Sequence, residues 1–296
     1  MLILPRDLLA VAKNNGNSSE PNIQVLLQSE GLSALSKQLS EPIYERTGYL
    51  ATHAFSFIIQ GEQQIETYEG DLLRITAGSG ILIPRDLYQI SDLVPKGGMF
   101  KSLLIYFDSV DVVAKFLGEN LNAFGLLEKS KYPNSLPLTF KLEAQEKKLI
   151  QKITSSDSTS QTRDQVKALL TLQSKNPKNL FPSLIRFDSF KRRDFKLFMR
   201  THAEKALRVE DFAYLTGRSL STFRRDFKAA FGQQPRQWLR KRRLDHAYNL
   251  LLKGKHRVSD LSQAAGYENV SYFIREFRKQ FGQSPKQMMM AQSAMA

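Results

Sequence analysis

The chain has 296 residues and no cysteine, which excludes disulfides, thiolate metal sites and cysteine nucleophiles. Its 42% hydrophobic content is that of a globular protein with chain enough for two cores, and no apolar run approaches the roughly 20 residues that span a bilayer. The formal charge of +14 is uneven: from Arg186 onward 24 Lys and Arg face 10 Asp and Glu, whereas the residues before it hold 19 of each. An evenly spread solubility charge is thereby excluded, and a polyanion-binding module at the C-terminal end is indicated.

The opening MLILPRDLLAVAKNNG is apolar, but no basic residue precedes the apolar stretch and Asp7 falls within it. It makes a poor signal peptide, and a cytoplasmic location is expected. The first 110 residues read as strand-rich. THAFSFIIQ (52–60) is aromatic and β-branched, and Gly61-Glu62 supplies its turn. QQIETYEG (63–70) alternates, residues 71–93 offer two strands broken at Ala77-Gly78-Ser79-Gly80, and MFKSLLIYFD (99–108) adds another. Short strands with Gly punctuation predict a sandwich or small barrel. In THAFSFIIQ, Phe55, Phe57 and Ile59 alternate with Ala54, Ser56 and Ile58. Either set can face the interior, since both contain apolar residues.

Helical spacing follows. It is carried by residues 109–121, by 142–153 through Leu142, Leu149, Ile150 and Ile153, and by 164–172 through Val166, Leu169 and Leu170. Ser155–Thr162 reads as a loop, and an interdomain linker is expected near 181–188. The apolar stripes of 142–153 and 164–172 can form a homodimer interface or cover the sheet of their own chain. Two domains are expected, 1–185 and 186–296.

The basic part contains one pattern twice. Residues 208–238 read RVEDFAYLTGRSLSTFRRDFKAAFGQQPRQW and residues 257–288 read RVSDLSQAAGYENVSYFIREFRKQFGQSPKQM. Val209 aligns with Val258, Asp211 with Asp260 and Gly217 with Gly266. After one inserted residue, Phe223 aligns with Phe273, Arg225 with Arg275, Phe227 with Phe277, Gly232 with Gly282 and Pro235 with Pro285. A short apolar helix, a Gly turn and a longer basic helix form a helix-turn-helix. A helix with Phe195, Phe198 and Met199 on one face leads in. A long helix over 235–254, opened by Pro235 and closed by Gly254, joins the two motifs. The tail 288–296 is expected to be disordered.

Ser219 and Asn269 are the expected N-caps of the two reading helices. Phe223, Phe227 and Phe231 face the core, and their counterparts are Phe273, Phe277 and Phe281. Ser221, Arg224, Arg225 and Lys228 then share another face by their i, i+3, i+4 and i+7 spacing. Arginine suits bidentate contact with guanine in the major groove.

These residues give residues 190–288 a resemblance to the tandem helix-turn-helix domain of the AraC/XylS family of bacterial transcription regulators. The likeness rests on Ser221-Thr222-Phe223-Arg224-Arg225-Asp226-Phe227-Lys228, Gly232, Pro235, Arg243-Leu244, Ala247 and Leu250-Leu251. In the second motif it rests on Gly266-Tyr267, Ser271-Tyr272-Phe273, Arg275, Phe277-Arg278-Lys279, Phe281-Gly282 and Pro285. Leu261-Ser262, Tyr267 and Met288 depart mildly from the family pattern. The resemblance implies DNA contacts from Arg218, Ser221, Thr222, Arg224, Arg225 and Lys228, and from Asn269, Ser271, Tyr272, Ile274, Arg275 and Arg278. Ile274 has no polar group and would meet thymine methyls or backbone. It further implies a two-domain α+β protein: a cupin-like β-barrel with helices, then an all-α tandem helix-turn-helix domain. Double-stranded DNA, a homodimer partner and RNA polymerase are the implied partners. An effector of unknown kind, small molecule or protein, is implied for the N-terminal domain, with Phe55, Phe57 and Ile59 as candidate contacts.

No catalytic residue, metal or cofactor is expected. His53 stands alone on a strand, and His202, His246 and His256 form no triad with Ser and Asp. Two other readings are an architectural DNA-binding protein and a cupin enzyme with a DNA-binding tail. The missing His cluster argues against the enzyme, and the attached β-domain argues against a purely architectural role.

Overall fold

The computed structural model describes residues 2–14, 22–119, 137–156, 158–176, 180–187, 194–254, 256–267 and 269–295. The chain divides into two compact units, Met1–Ser189 and Phe190–Ala296. The first opens with strand β1 (Leu2–Leu4) and helix α1 (Arg6–Asn14). β2 (Asn22–Ser29), β3 (Leu32–Leu39), β4 (Ile43–Leu50), β5 (His53–Gln60) and β6 (Glu62–Thr67) follow. Next come β7 (Leu72–Thr76), β8 (Ser79–Ile83), β9 (Asp86–Leu93) and β10 (Phe100–Phe107). Residues 71–93 therefore hold three strands rather than two, because Pro84-Arg85 breaks the run a second time. The rest of the unit is α2 (Val110–Leu117), β11 (Leu138–Lys141), α3 (Ala144–Ser155), α4 (Thr159–Ser174) and α5 (Leu180–Phe187).

The strands form two open sheets rather than one closed barrel, in the orders β1-β4-β9-β6-β7 and β11-β8-β5-β10-β3-β2. Among the described strands only β1 on β4 is a parallel pair. Leu4, Leu50, Ile65, Ile75 and Tyr88 of the first sheet meet Leu35, Ala54, Ile58, Ile81 and Leu104 of the second in one apolar core. The other face of the six-stranded sheet carries Phe55, Phe57, Leu82, Leu103, Ile105 and Phe107 into a second core. There Val113, Phe116, Ile150, Ile153, Val166, Leu169, Leu170, Phe181 and Leu184 of α2–α5 cover it. β5 is thus buried on both faces, which is why its sequence shows two apolar sets. Each fully buried Phe contributes about 1.5–3 kcal/mol by leaving water.

Two expectations change, and for the third the structure shows one of the two roles left open. The proposed linker near 181–188 falls on α5, where Leu180, Phe181 and Leu184 are buried. Pro182 is tolerated there because the first turn of a helix has no intrahelical acceptor for its missing N–H. The loop expected over Ser155–Thr162 is shorter, because α4 begins at Thr159 and the Thr162 hydroxyl bonds the Ser158 carbonyl at 2.9 Å. The stripes of α3 and α4 are consumed by the sheet of their own chain, so they offer no free apolar face for a second copy.

A polar cluster interrupts the core between the sheets. Lys37 Nζ pairs with Asp92, and Gln63 Nε2 donates to the same carboxylate at 2.8 Å. Burial, then the nearby Asp92 charge, raises the pKa of the Tyr106 phenol well above its ordinary value. A cavity of about 50 Å³ lies beside them, bordered also by Leu4, Leu50, Ala54, Ser56 and Leu104. Among the described residues, Ser56 Oγ and Gln63 Oε1 have no hydrogen-bond partner. Phe55 and Phe57 belong to the opposite face of β5, and they do not border this cavity. His53, the lone histidine of the sheets, accepts the Arg85 N–H at 3.2 Å and lies beside Phe107.

Candidate nucleic-acid interface

The second unit is helical: α6 (Phe195–His202), α7 (Val209–Leu215), α8 (Leu220–Phe231), α9 (Pro235–Leu252), α10 (Val258–Ala264), α11 (Val270–Phe281) and α12 (Pro285–Met295). The repeat in sequence is a repeat in structure. At the start of α7 the Asp211 carboxylate accepts the Arg208 N–H at 2.9 Å, and at the start of α10 Asp260 accepts the Arg257 N–H at 3.0 Å. That backbone donor is the main cause holding the Asp260 carboxyl below its ordinary pKa. Gly217 and Gly266 turn the chain at φ +66° and +76°, where a side chain would be strained. Ser219 caps α8 by accepting the Thr222 N–H at 3.2 Å, and Asn269 caps α11 by accepting the Tyr272 N–H at 2.9 Å. Phe223 and Phe227 are fully buried in the first motif, as are Phe273 and Phe277 in the second.

α9 is shared between the motifs. Near its start Trp238 lies edge-on to Phe227 at 5.4 Å and beside Phe231 at 4.9 Å. Further along, Leu244, Ala247 and Leu251 join Leu261, Ala265, Phe273 and Phe277 in the core of the second motif. The tail expected to be disordered is instead α12. Pro285 opens it as Pro235 opens α9, and Met288 and Met289 rest on that same core.

The candidate contacts separate into two groups. Ser221, Arg224, Arg225 and Lys228 of α8 are exposed, and so are Ser271, Tyr272, Arg275 and Arg278 of α11, with Asn269 at its cap. Given the caps, the two sets occupy matching positions: Arg225 and Arg275 each lie six residues beyond their N-cap. Thr222 is half-buried, its hydroxyl 2.9 Å from that of Ser219. Arg218 is not a free cation. It donates to the Thr216 carbonyl at 2.7 Å and to Asp226 at 3.1 Å, and it lies 4.5 Å over the Phe195 ring. Ile274 does not project outward either, because it is half-buried against the second motif's core.

Sequence reasoning missed the basic groove beside α11. Arg208, Arg236, Arg240 and Arg243 border it together with Tyr267 and Tyr272, around a volume of about 560 Å³. Arg240 pairs with the buried Glu276 at 3.3 Å, and Arg275 lies 4.7 Å over the Tyr272 ring. Burial raises the Tyr267 pKa to about 12. In sequence Arg236, Arg240 and Arg243 are lost within a generally basic helix, and Arg208 stands apart at the start of α7. Their spacing, 236, 240 and 243, marks one helix face and was the available signal.

Among the described residues there is no group of three metal-ligand side chains, and no helix is long and apolar enough to cross a membrane. What the arrangement offers chemically is hydrogen-bond donors and positive charge on two matching exposed helices.

Comparison with known proteins accords with this geometry. Residues 212–291 match the family described as "Helix-turn-helix domain", and residues 53–182 match "ExsA N-terminal regulatory domain". The chain is 34% identical over 77 residues to the HTH-type transcriptional regulator ExsA of Pseudomonas aeruginosa, covering 26% of this chain and 28% of that protein. It is 35% identical over 75 residues to the thermoregulatory protein LcrF of Yersinia pestis, covering 25% and 28% respectively. The matched stretch therefore spans less than a third of either relative. Among solved structures it is similar to unsaturated fatty acid bound ToxT of Vibrio cholerae, at 13% identity and a TM-score of 0.45, over 88% of this chain and 95% of that one. The two family matches fall on either side of the unit boundary, and the duplicated motif makes the second unit similar to the tandem helix-turn-helix domain of the AraC/XylS transcription regulators.

Proposed function

We propose that the chain is a sequence-specific, duplex-DNA-binding regulator of transcription whose C-terminal unit reads two neighbouring groove segments under the influence of its N-terminal unit. The observation that carries this reading is the copied geometry of α8 and α11. Each is capped by a side-chain oxygen, buried through two phenylalanines and exposed through Ser and Arg at matching positions. The segregated positive charge supports it, since phosphate attraction supplies the sequence-independent part of binding. Arg224, Arg225, Arg275 and Arg278 take the base and phosphate contacts in this reading, with Ser221, Lys228, Asn269, Ser271 and Tyr272 beside them. Arg218, Thr222 and Ile274 act by supporting the reading helices.

The protein acts in the cytoplasm, as a homodimer and with RNA polymerase, as the resemblance to the AraC/XylS regulators suggests. The dimer surface lies outside the α3 and α4 stripes, which the sheet already covers. The cavity between the sheets, at about 50 Å³, is well below the roughly 150 Å³ that accepts benzene. A sugar- or lipid-sized effector would have to part the sheets. The effector of the N-terminal unit is a small molecule or a protein, and a protein would use the outer surface of that unit.

Selection from a random duplex library by the full-length chain, followed by footprinting, tests the function. Enrichment of one motif with two protected segments is expected. A purely architectural protein would enrich bendable sequence without a fixed motif.

A further inference from the structure

Arg243 lies in the middle of α9, in the run Lys241-Arg242-Arg243, where Lys241 and Arg242 are exposed to solvent. Its guanidinium instead turns inward. Nη2 donates to the Lys205 carbonyl at 2.7 Å and to the Leu207 carbonyl, and Nε reaches the Ala203 carbonyl at 3.4 Å. These carbonyls belong to the loop between α6 and α7, which leads into the first motif. One turn further along α9, His246 Nδ1 lies 2.9 Å from the Glu204 carboxylate of the same loop. Burial lowers the Arg243 pKa and the neighbouring Tyr267 opposes that shift. The group nonetheless remains a cation at any physiological pH.

The turn of the second motif rests on the same loop. A Cβ on Gly266 would come within 3.0 Å of Ala206 Cβ and 3.7 Å of Arg243 Nη1. The lead-in of the first motif, the shared helix and the turn of the second motif therefore meet around one guanidinium. Only arginine has a planar fork of fixed donors able to bridge several carbonyls. Lysine offers a single flexible point charge.

We propose that Arg243 is a positioning residue for two-segment DNA reading: it locks the 203–207 loop to α9 and to the Gly266 turn, and so fixes the distance and rotational phase between α8 and α11. The inference rests on the DNA-reading function proposed above. Phase matters because each base pair of spacer moves the second segment about 3.4 Å along the duplex and roughly 35° around it. A locked pair of readers rejects the wrong spacer, whereas a hinged pair accepts it.

The test is a spacer series with the full-length chain. A duplex selected by the wild type is remade with one base pair inserted or deleted between its two protected segments, and another version has one segment scrambled. Binding is compared for the wild type, Arg243→Lys and Arg243→Gln. The wild type should lose about tenfold or more for a one-base-pair change, the order of a single mismatch, while both variants lose less than about threefold. Binding to the duplex with one intact segment should be the same for all three. Uniform weakening of every duplex, with the wild-type spacer preference retained, overturns the inference, since Arg243 would then support stability alone. Should neither variant fold, Glu204→Gln leaves the guanidinium in place and loosens the other tie of this loop to α9, at His246. It should flatten or shift the same series, and an unshifted series overturns the inference. A wild type indifferent to spacer length also overturns it while leaving DNA binding intact. A wild type that selects no duplex overturns the proposed function itself.

Discussion

The Arg275 guanidinium lies 4.7 Å over the ring of Tyr272, three residues earlier on the exposed face of α11. The contact holds a long side chain in one orientation before any ligand arrives, and such contacts are worth about 0.5–1 kcal/mol at exposed sites. Tyr272→Ala should therefore weaken duplex binding by roughly two- to fivefold while leaving the melting temperature unchanged. Arg275→Ala should cost about 1–3 kcal/mol and relax preference at one position of the site. Titration of both variants against the selected duplex and its point variants checks this. Equal effects on every sequence would show that Arg275 touches phosphate only.

Arg225 and Lys228 share the exposed face of α8 but differ in what they can read. Arg225→Ala should cost about 1–3 kcal/mol on the best site and flatten its sequence preference. Lys228→Ala should weaken all sequences evenly and reduce the salt slope by about one unit. Salt titrations of the two variants separate the roles, and identical slopes and preferences would contradict the division.

The ion pair between Lys37 and Asp92 lies in the core between the sheets, with the Asp92 carboxylate also held by Gln63. Lys37→Met alone strands a buried carboxylate and should destabilise the N-terminal unit by about 3–5 kcal/mol. Adding Asp92→Leu to it should recover part of that loss, because the stranded charge is gone and only the neutral Gln63 amide is left unpaired. Denaturant melts of the single and double variants decide it. Additive losses would mean that the pair is not the unit of stability.

Phe181 lies edge-on to Phe55 at 5.6 Å and to Phe107 at 6.0 Å, which makes α5 part of the sheet-covering core. Phe181→Ala should cost about 3–5 kcal/mol. A neutral effect on the thermal melt would return this segment to the role of linker.

That segment shows where the sequence stops speaking. A linker is expected near 181–188 because Pro and Asn are breakers in isolation, yet Pro182 sits in the first helical turn, where it breaks nothing. The duplicated motif was legible because its Gly turns, caps and paired phenylalanines are each demanded by local backbone geometry, and they recur in order. The same copy reaches Pro285, which opens α12 as Pro235 opens α9, so the last helix was written in the repeat as well. The facing of β5 was not legible, because a sheet covered on both faces erases the alternation that would tell Phe55 and Phe57 from Ala54, Ser56 and Ile58. Nor was the fate of single arginines. Arg218, Arg225 and Arg243 are alike in composition and spacing. Only tertiary contacts place the first over Phe195, the second in solvent and the third among three carbonyls.

The central claim is that both motifs read DNA, and footprinting of the full-length chain with Arg225→Ala and Arg275→Ala on the selected duplex tests it most directly. The account predicts two protected segments about 34 Å, roughly one helical turn, apart, with each variant losing protection over one segment and keeping the other. A single protected segment that Arg275→Ala leaves untouched would contradict it.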